Sequence, residues 1–195
     1  MDLVFATNNL NKLFEIRSLL PESIRILALN DINCTEELLE EQDTLEGNAL
    51  QKARYIYNTY GVNCFADDTG LEIEYLDGKP GVYSARYAGE ACIAEDNINK
   101  VLLELEGVIN RSANFRTVIA LIISGEEYIF EGKCQGLITE KRLGKQGFGY
   151  DPIFLPLNST MTFAEMSVKR KGEISHRGRA VSALIDFLSN IKITG

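Results

Sequence analysis

The chain has 195 residues, 45% of them hydrophobic and 25% charged, which suits one domain, or two small lobes sharing a core. Asp plus Glu outnumber Lys plus Arg by 28 to 20, for a net charge of −8, so non-specific binding to polymeric nucleic acid is excluded as a function. No apolar run reaches membrane-spanning length, and the opening "MDLVFATNNLNK" lacks the basic and apolar regions of a signal peptide, so a cytoplasmic protein with no membrane partner is expected.

In chain order, "LVFAT" reads as a short buried strand that passes through a polar loop into the helix "KLFEIRSLL". "IRILAL" is a second strand. The acidic stretch "TEELLEEQDTLEG" leads into the helix "NALQKARYIYNTYG", with Gly61 placed to end it. A strand over Cys64 to Ala66 runs into Asp67 and Asp68, and a second, "LEIEYL", follows Thr69 and Gly70. "AEDNINKVLLELEG" predicts a helix closed by Gly107, and "FRTVIALIISGEEYIFEGKC" a hairpin with a glycine in its turn. "QGLIT" and "DPIFLP" read as short strands, and "RAVSALIDFLSNI" as a terminal amphipathic helix. Strands reached both through helices and through a hairpin predict an α/β chain with a mixed sheet. Cys34, Cys64, Cys92 and Cys134 form no C-x-x-C pair, which predicts reduced thiols and no zinc site.

Four segments carry candidate chemistry. In "ATNNLNK" a strand, a polar loop and a helix start are joined, an arrangement that binds phosphate through helix N–H groups; Thr7, Asn8 and Asn9 add donors and Lys12 a full charge. The spacing is not that of a P-loop. Asp67 and Asp68 are adjacent carboxylates whose repulsion calls for a cation, and Mg²⁺ lying between them and phosphate is the natural one, with further oxygens from Glu40 and Glu41. "GKQGFGYDPIF" sets Phe148 and Tyr150 on glycine-rich backbone, where rings can stack on a base. "KRKGEISHRGRA" concentrates Lys169, Arg170, Lys171, Arg177 and Arg179 around the only histidine, His176, and reads as an anion or carbonyl recognition patch before the last helix. Each has a plainer reading as a turn, a solvated patch or a core plug. Together they are the parts needed to bind a nucleoside triphosphate with its metal.

"ATNNLNK", "DTLEGNALQKA", "ADDTGLEIEYLDGKPGVYSARYAGE", "GFGYDPIF" and "SHRGRA", in that order and nearly end to end, resemble the inosine triphosphate pyrophosphatase (Ham1-like) family. The resemblance implies a single domain over residues 1–195, built on an elongated mixed sheet flanked by helices, with two lobes around an active-site cleft. It implies Mg²⁺-dependent hydrolysis of inosine, deoxyinosine and xanthosine triphosphates to monophosphate and pyrophosphate by a homodimer. Thr7, Asn8, Asn9, Leu10, Asn11 and Lys12 take the place of its phosphate loop, with Asn8 where many relatives carry glycine. Asp68 takes the place of the general base and a metal carboxylate. Thr69, a serine in many relatives, contacts substrate. Counting back from "NALQKA" makes Glu40 the second metal carboxylate, with Glu41 as the adjacent alternative. Phe148, Gly149, Tyr150 and Asp151 form the base pocket, and Lys171, His176 and Arg177 supply the remaining contacts. A Maf-like nucleotide pyrophosphatase is disfavoured by "SHRG" and "FGYDP". A nucleotide sensor without turnover is disfavoured by the intact Lys12, Asp68 and acidic loop.

Overall fold

The computed structural model describes residues 1–191; residues 192–195, the end of the expected domain, lie outside it. Strand β1 (Asp2–Phe5) leads into helix α1 (Leu10–Leu19), followed by β2 (Arg25–Leu27) and α2 (Leu45–Tyr60). Then come β3 (Cys64–Ile73), the short β4 (Pro80–Gly81), α3 (Ala94–Glu104), β5 (Ser112–Ile123) and β6 (Glu126–Ile138). The chain closes with β7 (Phe154–Pro156), α4 (Val168–Ile174) and α5 (His176–Asn190). The sheet order is β2-β1-β3-β5-β6-β7, with β4 beside β3. β2, β1 and β3 are parallel and the other pairings antiparallel, as the mixed helix and hairpin connections require.

The two halves of the sheet are covered differently. In the first half, Cys64, Ala66, Val118, Ala120 and Ile122 pack against Leu45, Ala49, Ala53 and Ile56 of α2. Phe65, Ile119 and Leu121 face the other way, onto Leu13 and Ile16 of α1 and Ala180, Val181 and Leu184 of α5. A strand buried on both faces needs no polar alternation, hence the continuous run "VIALII". In the second half, Leu71, Ile73, Phe115, Cys134 and Ile138 meet Ile98 and Val101 of α3 with Phe154 and Phe163. The reverse face there is polar, and β6 alternates exposed and buried positions from Glu131 to Ile138.

Several expected boundaries move. Residues 64 to 73 form one unbroken strand, not two strands separated by an acidic turn, because β5 pairs it in continuous register from Cys64 opposite Ile122 to Ile73 opposite Ala113. "QGLIT" is the end of β6 and not a separate strand, and of "DPIFLP" only residues 154 to 156 pair. The basic segment is not a turn: it spans α4 and the start of α5. Ser175 ends the first helix and caps the second, its Oγ accepting from Gly178 N. The hairpin turn holds Ser124 at φ 52° and Gly125 at φ 85°, the left-handed pair that a two-residue hairpin favours.

One feature of β3 creates the site. Since β5 occupies one edge throughout, β1 and β4 share the other, β1 at Cys64 and Phe65 and β4 at Leu71 and Glu72. Between them the edge of residues 66 to 70 carries no strand, and Asp67, Asp68 and Thr69 lie along this gap.

Candidate active site

A cleft of about 460 Å³ opens at this gap, within the size range of small-molecule sites. Thr7, Asn8, Asn9, Asn11, Lys12, Glu40, Asp68, Thr69, Phe148, Gly149, Tyr150, Asp151, Lys171, His176 and Arg177, all expected from the sequence, line it together. Leu10 lies outside that lining and its side chain is exposed.

Strand pleating sends the two adjacent acids to opposite faces of the sheet. Asp67 shares the α1/α5 face with Phe65. Its Oδ1 lies 3.0 Å from Lys12 Nζ and its Oδ2 3.3 Å from Arg177 Nε. Burial would raise this carboxyl, but Lys12, Arg177 and Lys52 overcome burial and hold it at about 2. Asp68 shares the α2 face. Its Oδ2 accepts from Asn48 Nδ2 at 3.0 Å and its Oδ1 from Thr69 N at 2.9 Å. There burial, helped by Glu40, outweighs Lys52 and Lys12, and the carboxyl is raised above its ordinary value. The expectation that one cation lies between the two acids is therefore corrected. Asp67 is compensated by protein side chains and is not part of the cleft lining, whereas Asp68 is.

Glu40 and Glu41 are also separated. Glu40 borders the cleft and pairs with Lys52 of α2. Glu41 is exposed and turned to Gln51, which accepts from its backbone N–H at 3.1 Å. Glu40 and Asp68 are thus the carboxylates that could hold a metal ion. Among the described residues no group of three or more His, Cys, Asp or Glu side chains is arranged to do so. A pair of carboxylates in an open cleft suits Mg²⁺, which completes its shell with water and phosphate oxygen.

The phosphate-loop expectation is altered in detail. Asn9 caps α1, its Oδ1 accepting from Asn11 N at 2.9 Å and Lys12 N at 3.2 Å. Asn8 ties the loop to the acidic segment, donating to Glu36 O at 3.3 Å and accepting from Leu38 N at 3.0 Å. Both side-chain amides thus organise the loop, and Lys12 brings the charge.

The glycine-rich loop is built on Asp151, whose Oδ2 accepts from Phe148 N at 2.9 Å and Lys171 Nζ at 2.5 Å. Gly147, at φ 73°, is needed there, because a Cβ would come within 2.0 Å of that oxygen. Tyr150 donates to Ser84 O at 2.9 Å, fastening the loop to the opposite wall. The Phe148 ring lies 5.0 Å from Lys171 Nζ and 5.6 Å from Arg177 Cζ, within cation–π range. His176 stacks on Phe115 at 4.5 Å. Burial first, then Arg177, Lys171, Lys12 and Arg179, drives its imidazole well below the usual histidine value, so it is neutral. Its Nδ1 is buried without a hydrogen-bond partner among the described residues. Of the basic segment only Lys171, His176 and Arg177 reach the site; Lys169, Arg170 and Arg179 are exposed.

Sequence reasoning missed three residues. Glu15 is buried between Lys171 Nζ at 2.6 Å and Arg177 Nη1 at 2.5 Å. Burial would raise its carboxyl, but these two cations lower it. With Asp67 it joins the charges into a continuous buried chain from Asp151 through Lys171, Glu15, Arg177 and Asp67 to Lys12. Its signal was a position three after Lys12 on one helix. Asn48 and Lys52, four apart on α2, are the others: polar residues on the stripe that also holds Leu45, Ala49 and Ala53.

Residues 3–187 match the model of the Ham1 family. A dITP/XTP pyrophosphatase of Flavobacterium johnsoniae is 58% identical, over 98% of this chain and all of its own length. The Staphylococcus aureus Ham1 protein superposes with a TM-score of 0.87 at 36% identity, covering 97% of this chain and 98% of its own. A HAM1 protein of Coxiella burnetii gives 0.88 at 36% identity, covering 98% and 100%. Sequence, fold and the composition of the cleft agree: this chain belongs to the Ham1 family.

Proposed function

We propose that this chain hydrolyses deaminated purine nucleoside triphosphates, dITP, ITP and XTP, to the monophosphate and pyrophosphate. The reading is carried by one observation: residues of the N-terminal loop, the β3 gap, the glycine-rich loop and the α4–α5 segment line a single cleft. The relatives' name, dITP/XTP pyrophosphatase, supports two of these substrates, dITP and XTP.

Lys12 and the start of α1 take the triphosphate, where positive charge offsets that developing on phosphate oxygens. Glu40 and Asp68 hold Mg²⁺, whose chemistry when bound is Lewis-acid stabilisation of the phosphate charge. Asp68 orients the attacking water toward the α-phosphorus and accepts its proton. Asn48 and the Thr69 N–H fix that carboxylate's rotamer. Pyrophosphate leaves.

The base stacks on Phe148 and presents its 6-oxo oxygen to donors from His176, Arg177 or loop N–H groups. Adenine has an amino group at that position, so donor would face donor in a buried site, a mismatch that can exclude a substrate by ~10⁴-fold. Arg177 already gives Nε to Asp67, Nη1 to Glu15 and Nη2 to Thr69 Oγ1, so its larger part is to hold the wall of the pocket in place.

Family resemblance also supports a homodimer acting in the cytoplasm. Among the described residues no helix is long and apolar enough to cross a membrane. Pyrophosphate release from ITP, dITP, XTP, GTP and ATP, with and without Mg²⁺, tests the reading; equal kcat/KM on all five would overturn it.

A further inference from the structure

Lys52 has no place in the scheme above, yet it stands inside the acid cluster. Its side chain is only 4% exposed. Its Nζ donates to Glu40 Oε1 and, at 2.8 Å, to the backbone carbonyl of Asp67, which lies on the unpaired stretch of β3. Asp68, Glu40 and Asp67 all attract it. The ammonium is therefore paired with one carboxylate of the proposed metal pair and feels the charge of the other, and it is anchored by its own helix and by a strand carbonyl.

We propose that Lys52 is a built-in counter-ion that keeps Glu40 and Asp68 from holding a divalent cation alone, so that metal and nucleotide are taken up together. The inference rests on reading Glu40 and Asp68 as the metal pair. Before substrate arrives, Glu40, Asp67 and Asp68 already face Lys12, Lys52 and Arg177, and a dication meets a cluster with little net negative charge to offer. It would also have to displace an ammonium from Glu40. A triphosphate tail reverses this balance by bringing several anionic oxygens, the ligands that Mg²⁺ prefers alongside one or two carboxylates. Linkage then requires the metal to tighten the nucleotide by the factor by which the nucleotide tightens the metal. If Lys52 served only to fill space between α2 and β3, its removal would loosen the metal site or leave it unchanged. As a counter-ion, its removal tightens metal binding.

Mn²⁺ is the probe, its free concentration followed by electron paramagnetic resonance on the full chain, with and without α,β-methylene ITP. Wild type should bind Mn²⁺ at least about tenfold more tightly with the analogue than without it. Lys52→Met should bind Mn²⁺ alone at least about tenfold more tightly than wild type and lose most of the nucleotide dependence. Lys52→Arg should behave as wild type. Should Lys52→Met fail to fold by circular dichroism, Lys52→Gln, which keeps a donor for the Asp67 carbonyl, takes its place. Equal Mn²⁺ affinity of wild type with and without the analogue, or affinity in the neutral variant no higher than in wild type, overturns the proposal. No Mn²⁺ uptake by wild type even with the analogue bound overturns the metal pair itself, and this inference with it.

Discussion

Asp67 and Asp68 occupy consecutive positions of β3 and are both buried, yet they live in opposite surroundings. Asp67 meets Lys12 and Arg177 on the α1/α5 face and is held ionised, its carboxyl down at about 2. Asp68 meets an amide and a backbone N–H on the α2 face, and burial, with Glu40 nearby, raises its carboxyl against the pull of Lys52 and Lys12. A buried acid whose charge is answered by protein cations is a structural strut. A buried acid beside a cleft, short of full compensation, is open to water and, once a nucleotide brings its own oxygens, to a metal. Strand pleating assigns these two roles to neighbours in sequence.

That contrast can be broken most decisively at the two acids themselves. Asp68→Asn should lower kcat by about 10³-fold through loss of the general base, with the melting temperature unchanged or higher, because an unfavourable buried charge is removed. Wild-type turnover in a pyrophosphate assay would end the base assignment. Asp67→Asn should instead unfold more easily, by about 3 kcal/mol, because Lys12 loses its ion-pair partner and Arg177 one of its two buried carboxylates. That corresponds to roughly 6–12 °C in a thermal melt at neutral pH. An unchanged melting temperature would show that the strut carries no load.

The pH dependence sharpens the same comparison. The Asp67 carboxyl is depressed on folding, so its stabilisation is complete above the ordinary aspartate range and is lost as pH falls through about 2. The gap in melting temperature between wild type and Asp67→Asn should therefore be constant above about pH 4 and shrink toward pH 2. Asp68, raised on folding, has the opposite sign: its ionised form is disfavoured, and any advantage of Asp68→Asn should fade as acid protonates the wild-type group. The neighbouring loop divides in the same way, and its Glu41 has the smallest effect of all. Glu40→Gln should cost most of the activity, whereas Glu41→Gln, exposed and turned to Gln51, should stay within about twofold of wild-type kcat/KM and within ~0.5 kcal/mol in stability.

Most of the cleft was legible in the sequence because its parts sit where backbone changes character. "ATNNLNK" marks a strand giving way to a helix, and "GFGYDPIF" a run of glycines around rings. The hairpin was legible because apolar runs on both sides of Ser124 and Gly125 can only fold back on each other. What escaped were charges that look solvated in sequence and are buried in the fold. Glu15 reads as one polar residue of an amphipathic helix, and Lys52 as an ordinary helix lysine, until the cations and acids around them are placed. The direction of each acid on β3 was equally hidden. An apparent turn at "DDTG" concealed a continuous strand, and only the β5 pairing fixes the pleat that separates the two side chains.

The interrupted edge of β3 has a consequence for how this chain can vary. Between Phe65 and Leu71 the spacing acts as a reading frame: adding or deleting one residue would turn every following side chain through to the other surface. The carboxylate facing water would then be delivered to the arginine, and the paired one to the cleft. Conservative exchange of individual side chains along this stretch leaves that frame intact, while a one-residue change ahead of the two acids scrambles the whole site at once.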